Sequence, residues 1–368
     1  MADKPRVLVL GGCGFIGRNL VCYLVKNDLC ASIKVADKAL PMTSWLTPEQ
    51  TKCFEKATYQ QANLANDSHL AKVFKEPGEY DFVFNCAAET KASQPEEDYQ
   101  QRVLDLTVKC ATAAAKNKVK RFVEVSDAAV YDPSGKKAAK EDGKISPWTI
   151  VAKYKAQGDE QLAKIDGLDY VIVRPVFTYG TSCVNYVMPR LIIGAVYKQL
   201  NEKMKLLWDG SLKLNTVHVD DVVRALWHLK DNGKSGDIYN LADSGDTSQE
   251  DITKYVAKLY GIKYEFLGWM KSKAAEKYNM KAVCADVNEK HLQPWADMLK
   301  AASVDLSPLS PYIDQELLYN KNLSVDGQKV TSTGFKYEHP KLTEDACRKM
   351  VQDYIDLGIF PKGFLVDK

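Results

Sequence analysis

Long hydrophobic runs are absent from this sequence. A membrane-spanning helix needs about 20 consecutive apolar residues, and the best candidate stretch, 186–200, is interrupted by Pro189, Arg190 and Lys198. An N-terminal signal peptide is not recognisable either. We therefore expect no membrane partner and a cytoplasmic location.

An excess of charge of one sign is also absent. The 368 residues include 50 Lys and Arg against 48 Asp and Glu, which leaves a formal net charge of +2. Proteins that bind nucleic acids usually carry clustered basic residues, and the short basic stretch at 116–121 is better explained as a solvated helix end. We expect no nucleic-acid partner.

The nine cysteines form no metal-binding pattern. No two of them make a C-x-x-C pair, and no Cys and His are spaced as zinc ligands. Their odd number and the missing signal peptide favour reduced thiols in a reducing compartment. The sequence therefore predicts no metal site.

Apolar runs of four to six residues alternate with helical patterns through the first half of the chain. The pattern predicts strands at 6–10, 32–36, 57–61, 80–86, 121–126 and 170–173, and helices at 15–26, 67–74, 95–117 and 148–165. Short buried strands that alternate with helices are typical of a parallel sheet covered on both faces. The predicted fold class is α/β, a doubly wound parallel sheet of the Rossmann type.

The second half of the chain is less regular. We predict a dinucleotide-binding Rossmann domain at 1–175 and a smaller substrate lobe at 176–368. The lobe is interleaved with returning Rossmann elements at about 214–260, where strands at 214–219 and 237–241 and helices at 220–229 and 249–260 are expected.

Three glycines spaced three residues apart follow the first strand. Gly11 permits a tight turn, Gly14 lets a pyrophosphate approach bare backbone, and Gly17 lets the helix pack on the strand. The phosphates then meet free N–H groups at the helix N-terminus. This pattern predicts a bound dinucleotide.

Asp37 lies 20 positions after Gly17, at the end of the second predicted strand. A carboxylate there accepts hydrogen bonds from a ribose diol and repels a 2′-phosphate, which favours NAD over NADP. The neighbouring Lys38 could attract that phosphate, although a solvent-exposed lysine is the simpler interpretation.

Several further motifs make the chain resemble a known family. They are Gly11-x-x-Gly14-x-x-Gly17, Asn63-Leu64, Asn85-Cys86-Ala87-Ala88, Val125-Ser126-Asp127, Val173-Arg174-Pro175, Tyr179-Gly180 and Val217-His218-Val219-Asp220-Asp221. Over about 5–340 the sequence resembles the extended short-chain dehydrogenase/reductases, the NAD-dependent epimerase/dehydratase group, nearest the 3β-hydroxysteroid dehydrogenase branch.

The resemblance implies a set of cofactor contacts. Beyond the three glycines and Asp37, these are Phe15, Ile16, Asn63, Leu64, Ala87 and Lys155. In the family, the position of Asn63 usually holds an aspartate against the adenine, and the lysine holds the nicotinamide ribose.

The resemblance also implies a catalytic serine, tyrosine and lysine, of which this chain keeps only the lysine, Lys155. The tyrosine position, four residues earlier, is Val151, and the serine position falls on Asp127, with Ser126 one place away. We expect Asp127 to pair with Lys155. Loss of a general acid or base costs about 10²- to 10⁴-fold in rate.

Other groups could substitute for the missing phenol. Tyr131 and Tyr179 follow strands near the carboxyl edge of the sheet, and Asp127 could act as a base. For each of the three, a structural role is the simpler interpretation.

Two functions stay open. The first is an NAD(H)-binding protein with weak, rerouted or no redox catalysis, acting as a sensor or a structural part. The second is an active NAD-dependent oxidoreductase or epimerase on a nucleotide sugar or a sterol-like alcohol. The chain could also bind a small-molecule substrate. It could form a homodimer or be a subunit of a larger assembly.

Overall fold

The computed structural model describes residues 4–135 and 137–367. Its strands are β1 (Arg6–Leu10), β2 (Ser32–Asp37), β3 (Thr58–Gln61), β4 (Phe82–Asn85), β5 (Arg121–Val125), β6 (Tyr170–Pro175), β7 (Phe177–Tyr179), β8 (Met204–Leu206), β9 (Thr216–His218), β10 (Ile238–Leu241) and β11 (Tyr264–Phe266).

The α-helices are α1 (Phe15–Lys26), α2 (Pro48–Phe54), α3 (Asp67–Val73), α4 (Glu96–Tyr99), α5 (Leu106–Lys116), α6 (Ile150–Leu162), α7 (Val187–Leu200), α8 (Val219–Asn232), α9 (Gln249–Tyr260), α10 (Gly268–Ala301) and α11 (Glu344–Asp356). None of the helices in the described part of the chain is long and apolar enough to cross a membrane.

Seven of the strands form one parallel sheet, in the order β10-β6-β5-β4-β1-β2-β3. The chain runs outward from β1 through β2 to β3 and then returns to place β4 on the other side of β1. Such a reversal leaves a crevice at the carboxyl ends of the strands, where doubly wound folds bind ligands. The predicted fold class is confirmed.

The central strand β1 is buried on both faces, as its unbroken apolar run predicts. Val7 and Val9 pack into one hydrophobic cluster together with Leu20 of α1. Leu8 and Leu10 point to the opposite face and join a second cluster. Alternating side chains of one strand therefore anchor both helical layers.

The predicted helix at 95–117 is three pieces rather than one. Wider π-helical turns at Gln100–Asp105 separate α4 from α5. Tyr99 and Val103 form a small apolar cluster with Tyr154 of α6, so this region is packed against the helix that carries the lysine.

The C-terminal part returns to the main sheet once, through β10 beside β6. Two small parallel pairs, β7 with β9 and β8 with β11, lie outside the main sheet. The sequence pattern did not reveal the long helix α10. Its backbone leaves helical geometry at Asn279, and Pro294 lies inside it, so no single amphipathic period runs through it. The boundary predicted at 175 remains a prediction.

Candidate functional site

The glycine turn after β1 is sterically closed to larger residues. Gly11 has φ +72°, and a Cβ built there would lie 2.6 Å from the backbone nitrogen of Ala87. A Cβ on Gly17 would lie 2.3 Å from the carbonyl oxygen of Gly11. Both positions therefore need glycine, one for its conformation and one for close packing.

Helix α1 begins without any group that satisfies its first amides. No side chain caps it at Gly14, and its first turn contains no acidic residue. The first N–H groups of a helix lack internal partners and carry the positive end of the helix dipole. The start of α1 is therefore suited to an anion such as a pyrophosphate.

Asp37 ends β2 beside this turn and is held by two backbone amides. One carboxylate oxygen accepts a hydrogen bond from the Cys13 amide at 2.9 Å, and the other accepts one from the Ala39 amide at 2.9 Å. Each oxygen keeps a further lone pair for a ligand hydroxyl.

The neighbouring Lys38 is engaged by a carboxylate rather than free. Its ammonium lies 3.1 Å from Oε2 of Glu89, which is itself buried. The positive charge that could favour a 2′-phosphate is therefore partly neutralised within the protein.

These groups surround a cavity of about 360 Å³, the size of a small-molecule site. Six of the predicted cofactor residues line it: Gly11, Gly14, Asp37, Asn63, Leu64 and Ala87. An adjoining cleft of about 190 Å³ is lined by Phe15, Ile16, Asp127, Val151 and Lys155. Gly17 lies beneath the turn, against Gly11.

Lys155 is buried and its ammonium is directed at β5. It donates to Oε1 of Glu124 at 2.8 Å and to the carbonyl oxygen of Val125 at 2.6 Å. Glu124 is fully buried, accepts a further hydrogen bond from the Asn85 amide at 2.6 Å, and has a pKa raised by burial despite the lysine beside it.

The expected pairing of Asp127 with Lys155 is wrong. One Asp127 carboxylate oxygen instead accepts a hydrogen bond from the Ala129 amide at 2.7 Å, which caps the short turn Ala128–Val130. Glu124 of β5 takes that place, with its Oε1 2.8 Å from the Lys155 ammonium. Burial raises the pKa of Asp127, and the residue still lines the cleft.

The candidate tyrosines 131 and 179 are not brought to the cleft. The Tyr131 hydroxyl donates to Asn240 at 2.8 Å and accepts from Arg174 at 3.0 Å. Tyr179 is buried with its ring edge-on to His218. Neither residue lines the cleft beside Lys155.

Tyr186 and Glu316 lie beside Val151, and sequence reasoning missed both. Val151 and Tyr186 line the cleft beside Lys155 and an adjoining open cavity. Glu316 lines that second cavity, and its carboxylate accepts a hydrogen bond from the Ile150 amide at 2.8 Å. Burial raises the pKa of Glu316 to about 7. No local pattern pointed to it, because it lies 166 residues after Ile150.

A model of the NAD dependent epimerase/dehydratase family matches residues 7–242. The chain belongs to this family. It is 27% identical over 262 residues to human dTDP-D-glucose 4,6-dehydratase, covering 69% of this chain and 73% of that protein.

Solved structures show the same fold. The UDP-N-acetylglucosamine 4-epimerase of Methanobrevibacter ruminantium M1, in complex with UDP-N-acetylmuramic acid, has a TM-score of 0.69 at 20% identity, covering 96% of this chain and 99% of that one. The dTDP-glucose 4,6-dehydratase of Bacillus anthracis, in complex with NAD, has a TM-score of 0.69 at 17% identity, covering 95% of this chain and 96% of that one.

The larger cavity is also lined by residues that no predicted contact included. Arg18, Arg102 and Trp45 line the larger cavity. The Arg18 Nε donates to the carbonyl oxygen of Cys13 at 3.0 Å, and burial lowers the pKa of its guanidinium. A basic residue directly after Gly17 was a readable signal for an anion-binding group.

His218, Asp220 and His339 are the described residues that come closest to a metal-binding cluster, with ligand atoms within 4.8 Å of one another. However, Nδ1 of His218 already accepts a hydrogen bond from the Asp220 amide at 3.1 Å. The two imidazoles are stacked at 3.8 Å with 26° between their planes, so their in-plane lone pairs do not converge. We assign no metal to this cluster.

Proposed function

We propose that this protein binds NAD(H) at the start of α1 and does not perform the tyrosine-dependent redox chemistry that its family resemblance implies. It then acts as an NAD(H) sensor or as a structural part, with weak or no hydride transfer. The observation that carries the proposal is Val151, an aliphatic side chain in the cleft wall one helical turn before Lys155.

Three features support NAD as the ligand. The uncapped start of α1 offers free amides to the pyrophosphate, and Asp37 has acceptor capacity for a ribose diol. Lys38 is paired with Glu89, which favours NAD over NADP. The related dehydratase of Bacillus anthracis was solved with NAD.

The environment of Lys155 supports reduced catalysis. A lysine ammonium lowers the pKa of a neighbouring phenol by stabilising the phenolate. Here the Glu124 carboxylate and the Val125 carbonyl oxygen already compensate that ammonium. A phenol brought near it would therefore be activated less.

The test combines binding with turnover on the purified full chain. NAD⁺ and NADH at about 100 times Kd are expected to stabilise the protein by about 2.7 kcal/mol, visible as a rise in Tm of several degrees. With a mixture of nucleotide sugars and sterol alcohols, both the absorbance at 340 nm and the chromatographic profile of the substrates are expected to stay unchanged; the second readout is needed because an epimerase returns the hydride to its substrate. Absence of any NAD(H)-dependent Tm shift would overturn the proposal.

A second function is favoured by the ionisable groups around Val151. Asp127, Tyr186 and Glu316 line the cleft and the cavity next to it, so an oxidoreductase or epimerase with a substitute acid or base is the alternative. NAD-linked turnover that Asp127→Asn or Glu316→Gln removes would establish this alternative. Tyr131→Phe is the matched control, because that hydroxyl lies outside the cleft.

We also infer a cytoplasmic location and either a homodimer or a larger assembly. The nine cysteines are all unpaired, which fits a reducing compartment. Light scattering on the purified chain tests the oligomeric state, and a monomer at micromolar concentration would remove the homodimer.

A further inference from the structure

The C-terminal lobe contains a further cavity, distinct from the two beside Val151, which shares no lining residue with the cofactor cavity. It measures about 90 Å³ and is lined mostly by aliphatic side chains, among them Ile193, Val256 and Leu318. Two of its polar residues are satisfied by the protein itself: the amide of Gln249 donates to two carbonyl oxygens, and the hydroxyl of Thr253 donates to another.

Arg190 lines this cavity without a counter-ion. Its guanidinium donates to the carbonyl oxygen of Tyr186 at 2.6 Å, and no carboxylate pairs with it within residues 4–135 and 137–367. Burial lowers its pKa to about 10, which still leaves it cationic at neutral pH. A largely buried charge without a partner is costly.

The position of Arg190 adds to this cost. It lies in the first turns of α7, where the helix dipole disfavours a positive charge. The residue that accepts its hydrogen bond, Tyr186, has φ +54° and ψ −78°, a strained conformation for a non-glycine residue. Unfavourable features of this kind cluster at ligand-binding and active sites.

His291 on α10 is the second unsatisfied group in the cavity wall. It is 5% exposed, and neither ring nitrogen has a hydrogen-bond partner. Its ring lies edge-on to Tyr197 of α7, and burial lowers its pKa to about 4. The imidazole is therefore neutral and offers one donor and one acceptor. Native proteins leave few buried polar groups in this state.

We propose that this cavity is a binding site for a small carboxylic acid, with the carboxylate at Arg190, the polar edge of His291 available for a hydrogen bond, and a short apolar body among the aliphatic side chains.

The chemistry of the wall selects this class of ligand. Arg190 is the one cation without a carboxylate partner among the described lining residues, because the ammonium of Lys205 lies 3.9 Å from Glu265. The guanidinium of Arg190 balances the single negative charge of a carboxylate, but not the two negative charges of a phosphate dianion. Arginine presents paired N–H groups that fit the two oxygens of a carboxylate.

The volume limits the apolar body. Engineered cavities of about 150 Å³ accept benzene, so a cavity of about 90 Å³ fits a chain of three to five carbons. The side chain of Lys205 also lines the cavity and is 61% exposed, so it marks a solvent-facing edge.

Calorimetric titration of the full-length chain tests the site. Sodium butyrate is expected to bind with a Kd of about 1 mM, roughly what a few well-placed heavy atoms provide. Acetate and octanoate are expected to bind at least about 5-fold more weakly, because one underfills and the other exceeds the cavity. Butanol, butylammonium and equimolar sodium chloride are the controls. Equal binding of butanol, or no binding of any of the carboxylates, would overturn the proposal.

Variants connect the binding to the two residues. Arg190→Met is expected to remove butyrate binding while the NAD(H)-dependent Tm shift stays, and Arg190→Lys is expected to retain part of it. His291→Phe is expected to raise the Tm of the unliganded chain, because two unsatisfied polar atoms are removed, and to weaken butyrate several-fold. Unchanged butyrate binding in Arg190→Met contradicts the site. Binding of a nucleotide such as UDP in place of the carboxylates contradicts the ligand class.

Discussion

Gly17 has the least free space of the three motif glycines. A methyl group there meets the Gly11 carbonyl oxygen at 2.3 Å, and that oxygen belongs to backbone that cannot rotate away. We expect Gly17→Ala to displace α1 from the turn and to weaken NAD(H) binding by at least about 100-fold, measured by calorimetric titration.

Gly135→Ala provides the matched control. The nearest atom to a Cβ at Gly135 is a carbonyl oxygen at 3.5 Å, an ordinary contact, and the residue lies in an exposed loop. We expect NAD(H) affinity within about 2-fold of the original chain. Unchanged affinity in Gly17→Ala would mean that the dinucleotide binds elsewhere.

Asp37 is predicted to set the choice between NAD and NADP. Asp37→Asn keeps the size of the side chain but removes its negative charge and one acceptor. Because charged hydrogen bonds contribute about 1.5–3 kcal/mol, NAD affinity is expected to fall about 10-fold or more while NADP affinity falls less. Competition titrations with both nucleotides measure the ratio, and an unchanged ratio contradicts this role.

At the scale of elements, the buried pair of Lys155 and Glu124 connects α6 to β5. Both side chains are 5% exposed or less. Removing one member of a buried pair typically costs about 3–5 kcal/mol because the other charge is left uncompensated. We expect Glu124→Gln to lower the free energy of unfolding by that amount, measured by urea denaturation.

The double variant Glu124→Leu/Lys155→Met separates the pair from its packing. It removes both charges, so we expect it to be more stable than Glu124→Gln. Lys153→Met is the control for an exposed pair: Lys153 bonds to Glu96 on the surface at 2.6 Å, and such pairs contribute about 0–1 kcal/mol. A Glu124→Gln chain as stable as this control would refute the buried pair.

Helices with clear end signals can be located from the sequence, whereas a helix with an internal break cannot. Helix α9 was predicted with its observed bounds because a serine caps its start and a glycine follows its end. Helix α10 was missed because a break at Asn279 and an internal proline disrupt its period. The sequence shows Glu124 as a lone acid in an apolar strand. It does not show that Lys155 is the partner of Glu124, because the two lie 31 residues apart.

At the scale of the whole molecule, buried carboxyl groups make stability depend on pH. Asp243 is 7% exposed, and burial raises its pKa to about 7, whereas in the unfolded chain it is about 3.9. Between these values the folded state holds a proton that the unfolded state has released. The stability that protonated Asp243 contributes is complete below about pH 4 and is lost as the pH rises through 7.

We therefore expect the difference in unfolding free energy between Asp243→Asn and the original chain to change by about 2–3 kcal/mol between pH 5 and pH 8, in favour of the variant at high pH. Denaturant titrations at several pH values measure it. Subtracting the two curves removes the contributions of other groups, such as Glu316. A pH-independent difference would contradict the raised pKa of Asp243.

The sequence by itself determined the parallel sheet, the glycine turn and the acid at the end of β2. These features depend on residues close together along the chain, where the periods of strands and helices and the stereochemistry of glycine act directly. Only the tertiary structure decided that Lys155 faces Glu124, that Tyr186 and Glu316 lie beside Val151, and that Arg190 and His291 share one cavity. Each of these contacts joins distant segments, and burial, which controls their charges and hydrogen bonds, arises only when the whole chain is packed.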